Sequence, residues 1–266
     1  MQTHPVRPPV DRSLRIHPHP QRWLTSIVLL TPTLYALLWL GLPLAWRYWR
    51  GVLAWGAHEI DPALHVIAIG YPPDAPRVSL LSIDLAARMP SATQLAVTAA
   101  ICAIGFCASF FRRANWLPVA YLLRIASFTQ LLICAYFWLA PGAFPYVPML
   151  HLRDMFVLHG AAIAVIPLVM AALYYPLDFT LLQKIVASVL VVGYFVFALP
   201  FVMLLHAVII HHGSLLFLPF CYFLLGGPLL IGLLVTLYTY CASWPGSLTN
   251  PSDGSRRDRA QTPPYQ

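Results

Sequence analysis

Six stretches along the chain stay apolar for long enough to cross a bilayer, and short polar or proline-rich breaks separate them. A helix needs about twenty such residues to traverse the hydrocarbon core. The maximal apolar runs place spans at residues 23–46, 94–111, 116–140, 155–175, 184–210 and 215–241. The second is short and rich in alanine, so it relies on neighbouring helices to insert. The pattern predicts an all-α polytopic integral membrane protein of about six transmembrane helices. The first span stands alone, and residues 94–244 form a five-helix membrane bundle.

The one sizeable polar segment is 47–93. It opens with Tyr48, Trp49 and Trp55, aromatic residues that favour the headgroup level, so a short interfacial helix along the outer surface is expected. Two β-favouring runs, 64–70 and 77–85, flank a proline-stiffened turn at 71–76 and read as a small extracytoplasmic β-hairpin. A lone hairpin is marginal in water. It is expected to pack on the membrane surface or to pair with a strand of another membrane or envelope protein, which makes 47–93 the expected partner surface. Residues 1–22 and 245–266 lack apolar periodicity and are expected to be disordered cytoplasmic tails.

Composition agrees with a lipid solvent. Hydrophobic residues make up 59% and charged residues 9%, against roughly 25% charged in a soluble domain. Orientation follows from the basic residues, because short cytoplasmic segments retain positive charge. An even number of spans puts both termini on one side. That side carries Arg7, Arg12, Arg15, Arg22, Arg112, Arg113, Lys184, Arg256, Arg257 and Arg259, against Arg47, Arg50, Arg77, Arg88 and Arg153 on the other. Both termini are therefore expected to be cytoplasmic. The net charge of +7 then belongs to segments near an anionic leaflet, and no nucleic-acid partner is implied. The strong excess of arginine over lysine is the bias of a GC-rich bacterial genome, which gives the bacterial inner membrane as the expected location. The run at 23–46 is too long for a cleaved signal and ends without a small-x-small site, so it reads as an uncleaved anchor. Cys102, Cys107, Cys134, Cys221 and Cys241 all fall inside spans, and no disulfide framework is implied.

Candidate chemistry centres on histidine. Counting depth along the spans places His159 and His206 about one turn inside their outer ends, with Cys134 in the same layer and His151, His211 and His212 at the outer mouth. Such a layer can ligate a transition metal, hold a haem axially or relay protons. It can equally be a set of interfacial histidines satisfied by water and backbone carbonyls. The spacing matches no His-Glu-x-x-His or Cys-x-x-Cys pattern, so the metal is left unknown and no cofactor is predicted. Arg124 is the conspicuous intramembrane charge, either a functional residue or one that snorkels toward the headgroups beside Tyr121. Pro167, Pro200 and Pro228 each remove a helical hydrogen bond and are expected kinks, the feature that a transporter cavity would use. Asp178 with Lys184, and Arg153 with Asp154, are expected to have structural roles near span ends.

Cys107, Arg124 and His159 together resemble the catalytic trio of exosortases, polytopic cysteine transpeptidases of bacterial envelopes. Cys107, however, belongs near the inner end of its span and His159 near the outer end of its own, too far apart for a nucleophile and base. The context Gly105-Phe106-Cys107-Ala108-Ser109 also lacks the family's Ala-Cys-Ser-Gly pattern. In topology alone, the anchor span, outer β element and following spans are similar to some exosortase-associated accessory proteins. The leading expectation is a non-enzymatic scaffold or accessory subunit of a cell-envelope assembly or export system. The alternatives are a transporter lined by kinked spans four to six, and a metal- or haem-binding redox or enzyme subunit using the outer histidines.

Overall fold

A computed structural model describes residues 20–70, 79–111, 116–174 and 179–244. Helix α1 (Pro20–Ile60) leads into a two-stranded antiparallel sheet, β1 (Val66–Gly70) and β2 (Ser79–Ile83), paired Val66 to Ile83 and Gly70 to Ser79. Helices α2 (Ala92–Ala108), α3 (Leu117–Leu139), α4 (Pro148–Leu173) and α5 (Leu181–Gly213) follow. The last span starts with a 3-10 turn (Leu215–Phe217), the short helix α6 (Leu218–Phe220) and a π-helical turn (Cys221–Gly226), and continues as α7 (Gly227–Ala242). Among the described residues, six helical segments are long and apolar enough to cross a membrane. The expected tails, the hairpin turn at 71–76 and Asp178 lie outside the described residues.

Two boundaries differ from expectation, and the expected kink at Pro228 takes a particular form. No separate interfacial helix follows the first span, because residues 47–60 continue α1. Trp49, Leu53, Gly56 and Ala57 are buried at helical spacing, and nothing between Trp46 and Trp49 breaks the helix. Helix α4 begins at Pro148 rather than 155, with proline at its first position, where a missing N–H costs no helical bond. His151, Arg153 and Asp154 thus lie inside the helix. The sixth span is an interrupted helix, since Pro228 offers no N–H to the turn before it and that turn has widened to π geometry.

The chain divides into two compact units. One comprises 1–40, 165–193 and 234–266. Its interior holds Met170 and Tyr174, whose hydroxyl bonds Ser188 Oγ at 3.0 Å, and Tyr238 donates to the Leu173 carbonyl near the end of α4.

The other unit comprises 41–164 and 194–233. Tyr48 and Trp49 turn onto α5. Trp49 is only 5% exposed, and its Nε1 donates to the Val196 carbonyl at 2.7 Å. Val196 is four residues before Pro200, so this carbonyl is the one that Pro200 deprives of its helical donor. Tyr48 donates to the next carbonyl, Phe197, at 3.1 Å and stacks on the Phe197 ring. Phe156 of α4 meets Trp46 and Trp49 edge to face. A methyl on Gly56 would overlap the Leu204 side chain, so α1 and α5 approach closely here.

The same device closes the turn after α5. Ser91 caps α2 by accepting from the Gln94 amide, while the Gln94 side chain donates to the Gly213 carbonyl and accepts from Ser214 Oγ. Arg88 accepts from the Leu215 amide and donates to the His211 carbonyl. Gln130 of α3 donates to the Leu216 carbonyl. Strand β2 is covered on both faces, with Leu81, Ser82 and Ile83 buried, and Ser82 Oγ donates to the Met149 carbonyl at 2.8 Å.

Replacing Trp49 by Phe should leave the half-buried Val196 carbonyl unpaired, a loss of about 1–3 kcal/mol. The double variant Trp49→Phe/Pro200→Ala regains a backbone N–H at position 200 and should recover much of that loss. Thermal unfolding in mild detergent checks this, and fully additive losses would contradict it.

A buried histidine cluster beside the π-helical turn

Helix α4 carries His151, Met155 and His159 at intervals of four residues, which puts all three on one face. All are buried. From α5, His206 meets this face with no solvent exposure, and its Nδ1 lies 3.1 Å from His151 Nε2 with the two rings nearly parallel. One of these nitrogens carries the shared proton. His159 Nδ1 is 2.8 Å from the Met155 carbonyl. A carbonyl only accepts, so His159 holds its proton on Nδ1 and its Nε2 is an acceptor when the ring is neutral.

The π-helical turn forms the other wall. Tyr222 lies with its ring centre 6.1 Å from that of His151, and a methyl on Gly226 would stand 3.3 Å from Met155 Sδ. His206 Nε2 is buried, and the Leu225 backbone of the π-helical turn is what stands beside it. Widened turns of this kind recur at functional sites.

The expected layer is thus partly assembled. His159 and His206 do belong to one neighbourhood, but His151, expected at the mouth, is inside and pairs directly with His206. Cys134 packs instead in an apolar cluster with Ile133, Phe137, Ile210, Leu215 and Cys221. His211 is 3.8 Å from the Asp61 carboxylate and touches His212 edge to face. Among the described residues, no three His, Cys, Asp or Glu side chains are grouped as a metal-ligand set.

Arg124 stands elsewhere, against the end of α2. Its Nε donates to Ser109 Oγ and its Nη2 to the Ser109 carbonyl, each at 3.0 Å. The guanidinium lies 4.1 Å from the Phe110 ring centre and 5.2 Å from that of Tyr121. A cation there complements the negative end of the α2 dipole. Arg153 pairs with Asp154 at 2.8 Å. Of the prolines, Pro200 has its freed carbonyl filled by Trp49, Pro228 follows the π-helical turn, and Pro167 is buried within α4.

Sequence reasoning missed Trp49, Gln94 and Gln130 as carbonyl partners. The Ser91-x-x-Gln94 spacing of a capping box was a usable sign for the start of α2, but not for where the Gln94 side chain goes. Comparison with family models, curated proteins and solved structures finds no match for this chain.

His206→Leu alone orphans His151 Nε2 and should destabilise the protein by about 1–3 kcal/mol, more than the pair His151→Phe/His206→Leu, which removes both polar groups. Equal losses from the two would contradict a direct pair. Nitrogen-15 spectra should show His159 as the Nδ1–H tautomer, and an Nε2–H signal would overturn that assignment.

Proposed function

We propose that this chain is a non-enzymatic scaffold or accessory subunit of a bacterial cell-envelope assembly or export system. It lies in the inner membrane with both termini cytoplasmic and the sheet outside. The observation that carries this reading is the seating of the sheet. Strand β2 is buried on both faces and tied to α4 through Ser82 and Met149. The following segment is held to the end of α5 through Arg88 and Gln94. A small element held this firmly presents a fixed surface, which lowers the ordering cost of binding a partner. Trp49, Gln94, Gln130 and Arg124 serve the chain's own backbone, as suits a part that holds shape. Filling of the Pro200 kink by an indole favours a packed bundle there over a transport cavity.

A photoreactive amino acid at exposed Met89 should give a discrete adduct with one membrane or envelope protein in intact cells. Deleting residues 64–85 should abolish it, and His159→Gln/His206→Gln should leave it intact. An adduct unaffected by the deletion would overturn the proposal. So would solute or proton flux in liposomes that is lost on Pro200→Ala or His206→Gln.

One observation favours a second reading, a metal- or haem-binding subunit. His159 keeps Nε2 open by tying its Nδ1 proton to a carbonyl, and His206 Nε2 is buried in the same neighbourhood with only the Leu225 backbone beside it. A Soret band or near-stoichiometric metal, lost in both His159→Ala and His206→Ala, would put this reading first. A colourless, metal-free protein would remove it.

A further inference from the structure

The two-stranded sheet has one edge still open. In an antiparallel pair, residues that exchange both backbone bonds with the facing strand alternate with residues whose N–H and C=O point away from it. The Asp84 amide donates to the His65 carbonyl at 3.0 Å, which fixes the phase. With Val66 opposite Ile83 and Gly70 opposite Ser79, Ile67 and Ile69 therefore face β2, while Val66, Ala68 and Gly70 direct their backbone groups to the far side of β1. Among the described residues, no group takes up these bonds at Val66 or Ala68. The other strand, β2, is buried, whereas Val66 and Ile67 are half-buried and Ala68 is exposed.

Open edges are normally blunted by lysine, proline, a bulge or a covering element. Strand β1 reads Val-Ile-Ala-Ile-Gly, with no proline and no charged side chain, and its ladder to β2 runs without a bulge. A row of outward donors and acceptors two residues apart is matched by an extended strand. This strand is complementary to itself. Antiparallel pairing of β1 with another β1 sets Ala68 opposite Ala68 and Val66 opposite Gly70, places no like charges across from each other and forms about six interchain hydrogen bonds. We propose that two copies of this chain pair along β1, joining their sheets about a two-fold axis that passes beside Ala68. Ser82 ties β2 to the Met149 carbonyl in each copy, so the edge is held extended before the copies meet and less order is lost on pairing. The pairing does not depend on whether the sheet also carries a partner of another kind.

The test co-expresses two differently tagged full-length copies and weighs the purified protein in mild detergent by native mass spectrometry. The wild-type chain should be a dimer. Ala68→Pro removes the outward N–H at the axis from both copies and spares the β1–β2 ladder, because that N–H faces away from β2. The loss of two hydrogen bonds should weaken pairing about 30-fold, with the unfolding temperature unchanged. Ala68→Lys alone and Ala68→Glu alone keep every backbone group but set like charges opposite each other, so each should weaken pairing about fivefold. Copies carrying Ala68→Lys should then pair preferentially with copies carrying Ala68→Glu. A monomeric wild-type chain would overturn the proposal, as would a dimer indifferent to Ala68→Pro or Lys and Glu copies that pair at random. A monomer whose Met89 adduct is lost on Ala68→Pro would give the edge to the strand of another protein instead.

Discussion

In hydrocarbon, a backbone carbonyl without a donor costs several kcal/mol, and Pro200 creates one at Val196 within a helix that has no water to offer. The Trp49 indole supplies the missing donor, and the packing of the larger unit builds outward from that bond. Once Trp49 is committed to Val196, α1 must run along α5 past residue 46, so the segment expected on the surface continues the helix. Tyr48 then meets Phe197, Phe156 fills the angle between Trp46 and Trp49, and Gly56 admits Leu204. Each contact is modest by itself. Together they convert a proline that would open a helix into a point where two helices are locked.

The same logic recurs wherever the chain leaves helical geometry. Gln94 serves Gly213, Gln130 serves Leu216, Tyr238 serves Leu173, and Arg124 serves Ser109 at the end of α2. In water these carbonyls would be solvated and such residues dispensable. In lipid they determine where a helix can end. The histidine pair is the exception. His151 and His206 serve each other, His159 serves its own helix, and His206 Nε2 faces the Leu225 backbone of the π-helical turn. This is the part of the bundle whose polar capacity exceeds its structural use.

Hydropathy made the six spans legible, because run length alone separates a membrane helix from a soluble one, and β-branched runs around a proline-rich turn made the two strands legible. The continuation of α1 was also available in the spacing of Trp49, Leu53, Gly56 and Ala57, but aromatic residues beside arginines equally describe an interfacial helix, and the two patterns coincide. Depth counting brought His159 and His206 together, yet it misplaced His151 because α4 starts seven residues before its apolar run. The pairing of Trp49 with Val196 joins positions 147 apart through a carbonyl, and carbonyls are identical at every residue. Composition and periodicity carry no information about such a bond. Only the position of Pro200 marks which carbonyl will be free.

The most direct measurement is isotope-edited infrared spectroscopy of the reconstituted protein with a carbon-13, oxygen-18 label at the Val196 carbonyl. A band at the frequency of a hydrogen-bonded helical carbonyl, moving to higher frequency on Trp49→Phe, is the predicted result. A band already at the free-carbonyl frequency, or one indifferent to the loss of the indole, would contradict the view that this bond organises the bundle.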